Sequence, residues 1–208
     1  MSRLMTISTA AVALAAVCSA PLRGGDGPDP SGWSPLMTAV ERGDAARVRE
    51  LLAAGADVDY STPTYGFTAL MEAVYRGDAG IAALLIEAGA DPDARTRRGY
   101  AVSEDSPLLL AVKTGSPGLA RMLLSAGAAV NRRYQGGRTA LLYAVSYGNP
   151  EVVEVLLAHG ADPSARDDEG LGVEEWNALG PGSREGGVST GLPAGHRPPT
   201  AEKREARE

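Results

Sequence analysis

Side chains able to do covalent chemistry are scarce in this 208-residue chain. Cysteine occurs once, at Cys18, so the chain alone can form neither a disulfide nor a cysteine zinc set. Of the two histidines, His159 follows an apolar stretch that reads as a helix, where a cation at the C-terminus is mildly favoured by the macrodipole. His196 stands in a Gly- and Pro-rich tail. No G-x-x-x-x-G-K-[ST] phosphate loop is present. The remaining acid/base candidates are the carboxylate pairs Asp57/Asp59 and Asp91/Asp93. Both pairs recur in the same Gly-Ala-Asp context, which reads as loop hydrogen-bond acceptors in place of a metal site. The expectation is a non-enzymatic protein with no cofactor and no metal. A hydrolase built on those carboxylates is the alternative, and it requires them to converge in one pocket with perturbed pKa values.

The elements that hold these residues repeat four times. First-helix starts read Ser34-Pro35-Leu36-Met37, Thr68-Ala69-Leu70-Met71, Ser106-Pro107-Leu108-Leu109 and Thr139-Ala140-Leu141-Leu142. Each is followed by Ala-Val (Ala39-Val40, Ala73-Val74, Ala111-Val112, Ala144-Val145), then by Gly43, Gly77, Gly115 and Gly148. Next come capping types, Asp44, Asp78, Ser116 and Asn149, and paired aliphatics, Leu51-Leu52, Leu85-Ile86, Leu123-Leu124 and Leu156-Leu157. Gly-Ala closes every unit, 19 residues after its first Leu, whereas the Leu-to-Leu spacing between units is 34, 38 and 33. Helix lengths are therefore fixed and only the connecting loops vary. Helices this short are unstable alone, so neighbouring units must bury their apolar faces.

This pattern resembles the ankyrin repeat family, through a T-P-L-x-x-A…G…L-L-x-x-G-A-D run at a period near 33 covering about residues 31–178. The resemblance implies an all-α repeat solenoid of four helix–turn–helix units with β-hairpin fingers, at about 32–64, 65–97, 104–136 and 137–169. It also implies that fingers and first helices form a concave binding groove. The family's His after T-P-L is replaced by Met37, Met71, Leu109 and Leu142. Arg47 stands where later units have Ile81, Leu119 and Val152, marking repeat 1 as a polar N-terminal cap. A fifth unit starts at Asp168 and fails, with Glu174 in place of the first Leu. The reading is a short capping helix within 170–178, with Trp176 over the exposed end.

Both ends differ in composition. Residues 1–20 read as a secretory signal peptide, with Arg3, an apolar run from Ile7 to Val17, and small residues at Ser19 and Ala20. Cleavage after Ser19 leaves no cysteine; lipidation at Cys18 is the alternative, with Ala15-Ala16-Val17 a poor lipobox. Residues 21–31 read as a linker, and 179–208 as a disordered tail. Net charge is −6, which gives no global case for nucleic acid or an anionic membrane.

Outside Trp176, all nine aromatics lie in fingers or first helices, and the outer helices have none. Tyr and Trp offer large contact area at low entropic cost. The partner-binding candidates are Trp33, Tyr65, Phe67, Tyr75, Arg76, Arg97, Arg98, Tyr100, Tyr134, Arg138 and Tyr147. Arg95, Arg97 and Arg98 in one finger, with Arg132, Arg133 and Arg138 in the next, predict a basic end and a partner with an acidic face. The resulting expectation is a monomeric, exported protein-binding module in a bacterial periplasm. Exported ankyrin proteins include peroxide-protection factors and toxin-immunity proteins, an analogy of fold and export. A cytoplasmic or membrane-tethered adaptor is the alternative placement.

Overall fold

The computed structural model describes residues 28–29, 32–97 and 105–180. The segment read as a signal peptide, most of the segment read as a linker, Arg98, Tyr100 and nearly all of the segment read as a tail lie outside the described residues. Nine α-helices are described: α1 Pro35–Glu41, α2 Ala45–Ala53, α3 Ala69–Arg76, α4 Ala79–Glu87, α5 Pro107–Lys113, α6 Pro117–Ser125, α7 Ala140–Tyr147, α8 Pro150–Ala158 and α9 Val173–Leu179. Odd-numbered helices pack in one row, α1 through α9. Even-numbered helices α2, α4, α6 and α8 pack in a second. No helix among the described residues is long and apolar enough to cross a membrane.

Local sequence accounts for most of the helix starts. The hydroxyls of Ser34, Thr68, Ser106 and Thr139 accept the amides of Met37, Met71, Leu109 and Leu142, satisfying donors that a helix start leaves open. Asp44 and Asp78 do the same for α2 and α4. Asn149 departs from this pattern. Its side chain makes no cap to α8 and donates through Nδ2 to Val112 O, 3.2 Å away, tying repeat 4 to repeat 3. Gly115 leaves room for it, since a Cβ there would stand 3.3 Å from Asn149 Oδ1.

The core runs between the helix rows. Ala73, Ala111 and Ala144 are fully buried, and such small residues let inner helices approach closely. Met37, Met71, Leu109 and Leu142, which replace the family's His, are also fully buried, so apolar packing occupies that position. Side chains in the turns after each Gly-Ala add a second link between repeats. Asp59 accepts Asp91 N at 2.8 Å, Asp93 accepts Ala129 N at 3.1 Å, and Asn131 Oδ1 accepts Asp162 N at 2.8 Å.

The fingers hold isolated antiparallel bridges, Ser61 with Thr68 and Arg133 with Thr139. Among the described residues these take the place of the hairpin strands expected from the family pattern. Two ends close the stack as the sequence indicates. Arg47 is exposed and paired with Glu50 at 3.0 Å, and α9 packs on α7 with Trp176 only 2% exposed.

Candidate functional site

The finger and first-helix residues divide by burial. Phe67 and Tyr134 are 3% and 6% exposed, so neither presents its ring to a partner. Phe67 completes the core under the first finger, and its amide bonds Thr62 Oγ1 at 3.0 Å. Tyr134 shares a 2.7 Å hydrogen bond with Ser106 beneath the third finger. Tyr143, which is not among the binding candidates, is likewise buried. It packs edge-on to Tyr134 and stacks against Tyr147, at centroid distances of 6.2 and 6.3 Å. Trp33, Tyr65, Tyr75 and Tyr147 are half-buried. Trp33 lines a cleft of about 270 Å³ at the first repeat with Asp29, Pro35, Thr38, Arg42 and Asp44.

Burial pushes the Tyr134 phenol up to about 12, against the opposing hydrogen bond to Ser106. The Tyr143 phenol is raised by the same cause, partly offset by Arg138. An unfolded tyrosine ionises near 10, so between pH 10 and about 12 the unfolded chain releases protons that the folded chain holds. Stability is therefore intact below pH 10 and falls as pH rises through this window. Tyr134→Phe is expected to flatten that fall while losing about 1 kcal/mol at neutral pH through the Ser106 bond. Urea midpoints of both proteins from pH 8 to 11 give the comparison.

The arginines are organised differently from the sequence expectation of a basic end. Arg132 meets Asp93 at 2.9 Å, Arg133 meets Asp168 at 3.2 Å, and Arg138 lies 4.0 Å from the buried Asp167. Arg138 also covers the Trp176 ring at 4.2 Å and the Tyr143 ring at 5.7 Å. It therefore belongs chiefly to the C-terminal cap. Arg76 holds Glu72 at 3.3 Å, a carboxylate with no exposed surface, and Lys113 holds Asp105 at 2.8 Å. Aspartates distant in sequence neutralise the third finger. Asp168 in particular is invisible as a partner until the failed fifth unit folds back and its amide bonds Gly136 O at 2.9 Å. Gly137, at φ 69°, makes this possible, since a Cβ there would lie 2.0 Å from Asp168 Oδ1.

The carboxylates weighed for hydrolysis are spread along the repeat turns. Asp57 accepts Asp59 N at 3.1 Å, Asp91 accepts Asp93 N at 2.8 Å, and Asp59 and Asp93 reach the following repeats. This is the loop-acceptor role, and it favours binding over acid/base chemistry. Among the described residues no group of three or more His, Cys, Asp or Glu side chains could hold a metal. His159 Nδ1 lies 2.8 Å from Val155 O at the end of α8, a structural position.

Two stacked helix rows, Gly-terminated turns and finger loops define a repeat solenoid. A family model described as ankyrin repeats (3 copies) matches residues 10–96 and 97–167, and the chain belongs to the ankyrin repeat family. No curated protein matches it. Ankyrin repeats are protein–protein interaction modules, generally without catalytic activity.

Proposed function

We propose that this chain is an exported, non-enzymatic module that holds a protein partner against its finger edge and first-helix face. The observation carrying this reading is the one-sided placement of aromatics. Tyr65, Tyr75 and Tyr147 keep part of their surface exposed in fingers and inner helices, while α2, α4, α6 and α8 contain no aromatic residue. Partly exposed tyrosines held by packed neighbours lose little entropy on binding, which is the property of interface anchors. Export rests on Arg3, the Ile7–Val17 run and the small residues at Ser19 and Ala20. A periplasmic module of this kind would serve stress protection or toxin immunity, and the captured partner separates the two.

Intact mass of the chain purified from its native host should correspond to a start near Ala20. A soluble cytosolic species retaining Met1 would end the periplasmic reading. A pull-down from the native cell envelope should recover a defined partner, and Tyr75→Ala with Tyr147→Ala should lose it with the melting temperature little changed. Equal recovery by both proteins would remove the inner face from the binding surface.

A further inference from the structure

Arg97 differs from the arginines of the third finger. Arg132, Arg133 and Arg138 each lie within 4.0 Å of an aspartate carboxylate. Arg97 is exposed, and its guanidinium bonds a neutral acceptor, Nη1 to Pro63 O at 3.3 Å. Its backbone is tied to the preceding finger, with its amide donating to Tyr65 O at 2.7 Å. One residue earlier, Thr96 N donates to Asp105 O at 3.0 Å, and Asp105 N donates to Thr96 Oγ1 at 2.8 Å. Asp105 is in turn fixed by Lys113. The two feet of the longest connection are thus clasped together, and the first foot lies on the neighbouring finger.

Gly66 permits this contact. At φ 67° it occupies backbone space that L side chains rarely adopt. A Cβ there would stand 3.1 Å from both Arg95 O and Arg97 Cγ, and 3.3 Å from Arg97 N. A side chain at this position is strained by the positive φ and requires the Arg95–Arg97 segment to shift by a few tenths of an ångström.

From this arrangement we infer that Tyr65, Gly66 and Arg97 form a two-finger ledge that receives a carboxylate side chain of the protein partner, with Arg97 as the contact and Gly66 as the positioning residue. The inference rests on the protein-binding reading above and assigns the chemistry of one contact within it. A guanidinium presents donors in a planar fork matched to a carboxylate, and backbone anchoring reduces the entropy lost on pairing. Within the third finger every arginine is compensated internally, which leaves the attraction to the second finger, where Arg97 stands. The chain as a whole carries 26 acidic against 20 basic residues, so a generic polyanion gains nothing from the overall field.

The test is an NMR titration of the full-length protein with a hexaglutamate peptide, with hexaserine as the neutral control. Hexaglutamate should shift the Arg97 Nε–H resonance and the amides from Tyr65 to Phe67, and hexaserine should not. Arg97→Gln should weaken the titration by about fivefold or more, the effect of roughly 1 kcal/mol for a well-held ion pair. Gly66→Ala should weaken it similarly although Arg97 is retained, and Arg121→Gln on outer helix α6 should leave it unchanged. Hydrogen exchange of the wild-type Arg97 amide gives a reading independent of whether Gly66→Ala folds. Protection supports the ledge, and exchange at the rate of an unstructured chain overturns it. Absence of titration, or equal titration by wild type and Arg97→Gln, also overturns it. The envelope pull-down keeps the two readings apart. A partner lost by Tyr75→Ala with Tyr147→Ala but retained by Arg97→Gln sinks the ledge and leaves the binding module standing. A titration that behaves as described without any captured partner supports the ledge and counts against the broader reading.

Discussion

Leu123→Ala is expected to lower unfolding free energy by about 2–5 kcal/mol, and by more than Leu51→Ala. Both residues occupy the same position of their outer helices, and both are buried, at 0% and 5% exposure. Their surroundings differ. Helix α6, which carries Leu123, packs against α4 on one side and α8 on the other, whereas α2 meets only α4 within the outer row. Stability in a repeat stack is approximately the sum of each unit and its nearest-neighbour interfaces. A cavity at Leu123 weakens two outer-row interfaces and one at Leu51 weakens a single interface. Urea midpoints at constant m-value give the comparison, and the reverse order would contradict the nearest-neighbour account. A broadened transition for Leu51→Ala alone would show repeat 1 fraying ahead of the stack.

That comparison could be framed from the sequence, because the paired aliphatics, the Gly-Ala ends and the constant 19-residue interval fix each unit internally. Such features are local, and local chemistry is legible: Thr139 caps α7, and Gly148 ends it at φ 68°. Contacts between units were less legible. Asn149 looks like a helix cap but bonds Val112 O in the preceding repeat, because that carbonyl at the end of α5 is within its reach. Arg133 and Arg138 look like a basic finger, but Asp167 and Asp168 lie about thirty residues away in the chain and meet them only once the stack is assembled. The aromatics show the same limit. Tyr134 in the third finger and Tyr147 at the end of α7 are both binding candidates by residue type, and burial separates them through the placement of Ser106 and Tyr143. No single-position signal could have drawn that line. The pattern did foretell Trp176 as an end cover, since an unpaired stack end requires one.

Trp176→Ala is the second large effect, and it tests how that cover works. The indole is almost wholly enclosed on α9, so its removal should cost about 3–5 kcal/mol. Three interactions fail together. The Arg138 guanidinium loses the ring at 4.2 Å, Asp167 Oδ2 loses the indole N–H at 3.0 Å, and α7 loses an apolar cover. Asp167 retains the Glu169 and Leu171 amides on its other oxygen, at 3.0 and 2.9 Å, so its turn should persist while α9 detaches. Trp176→Phe separates packing from polarity. It keeps most of the apolar cover and removes the donor, leaving a buried carboxylate oxygen short of one hydrogen bond. The expected loss is about 1–3 kcal/mol. Asp167→Asn on the Phe background should recover part of that loss, because a neutral amide tolerates the missing donor better than a carboxylate does. Damage should also be local. Hydrogen exchange in Trp176→Ala should rise first in α7 and α8, with α1 to α4 close to wild type, as a stack that frays from one end requires. Uniform acceleration along the whole chain would mean that the repeats unfold as one cooperative block, with the cap acting as a keystone for every unit.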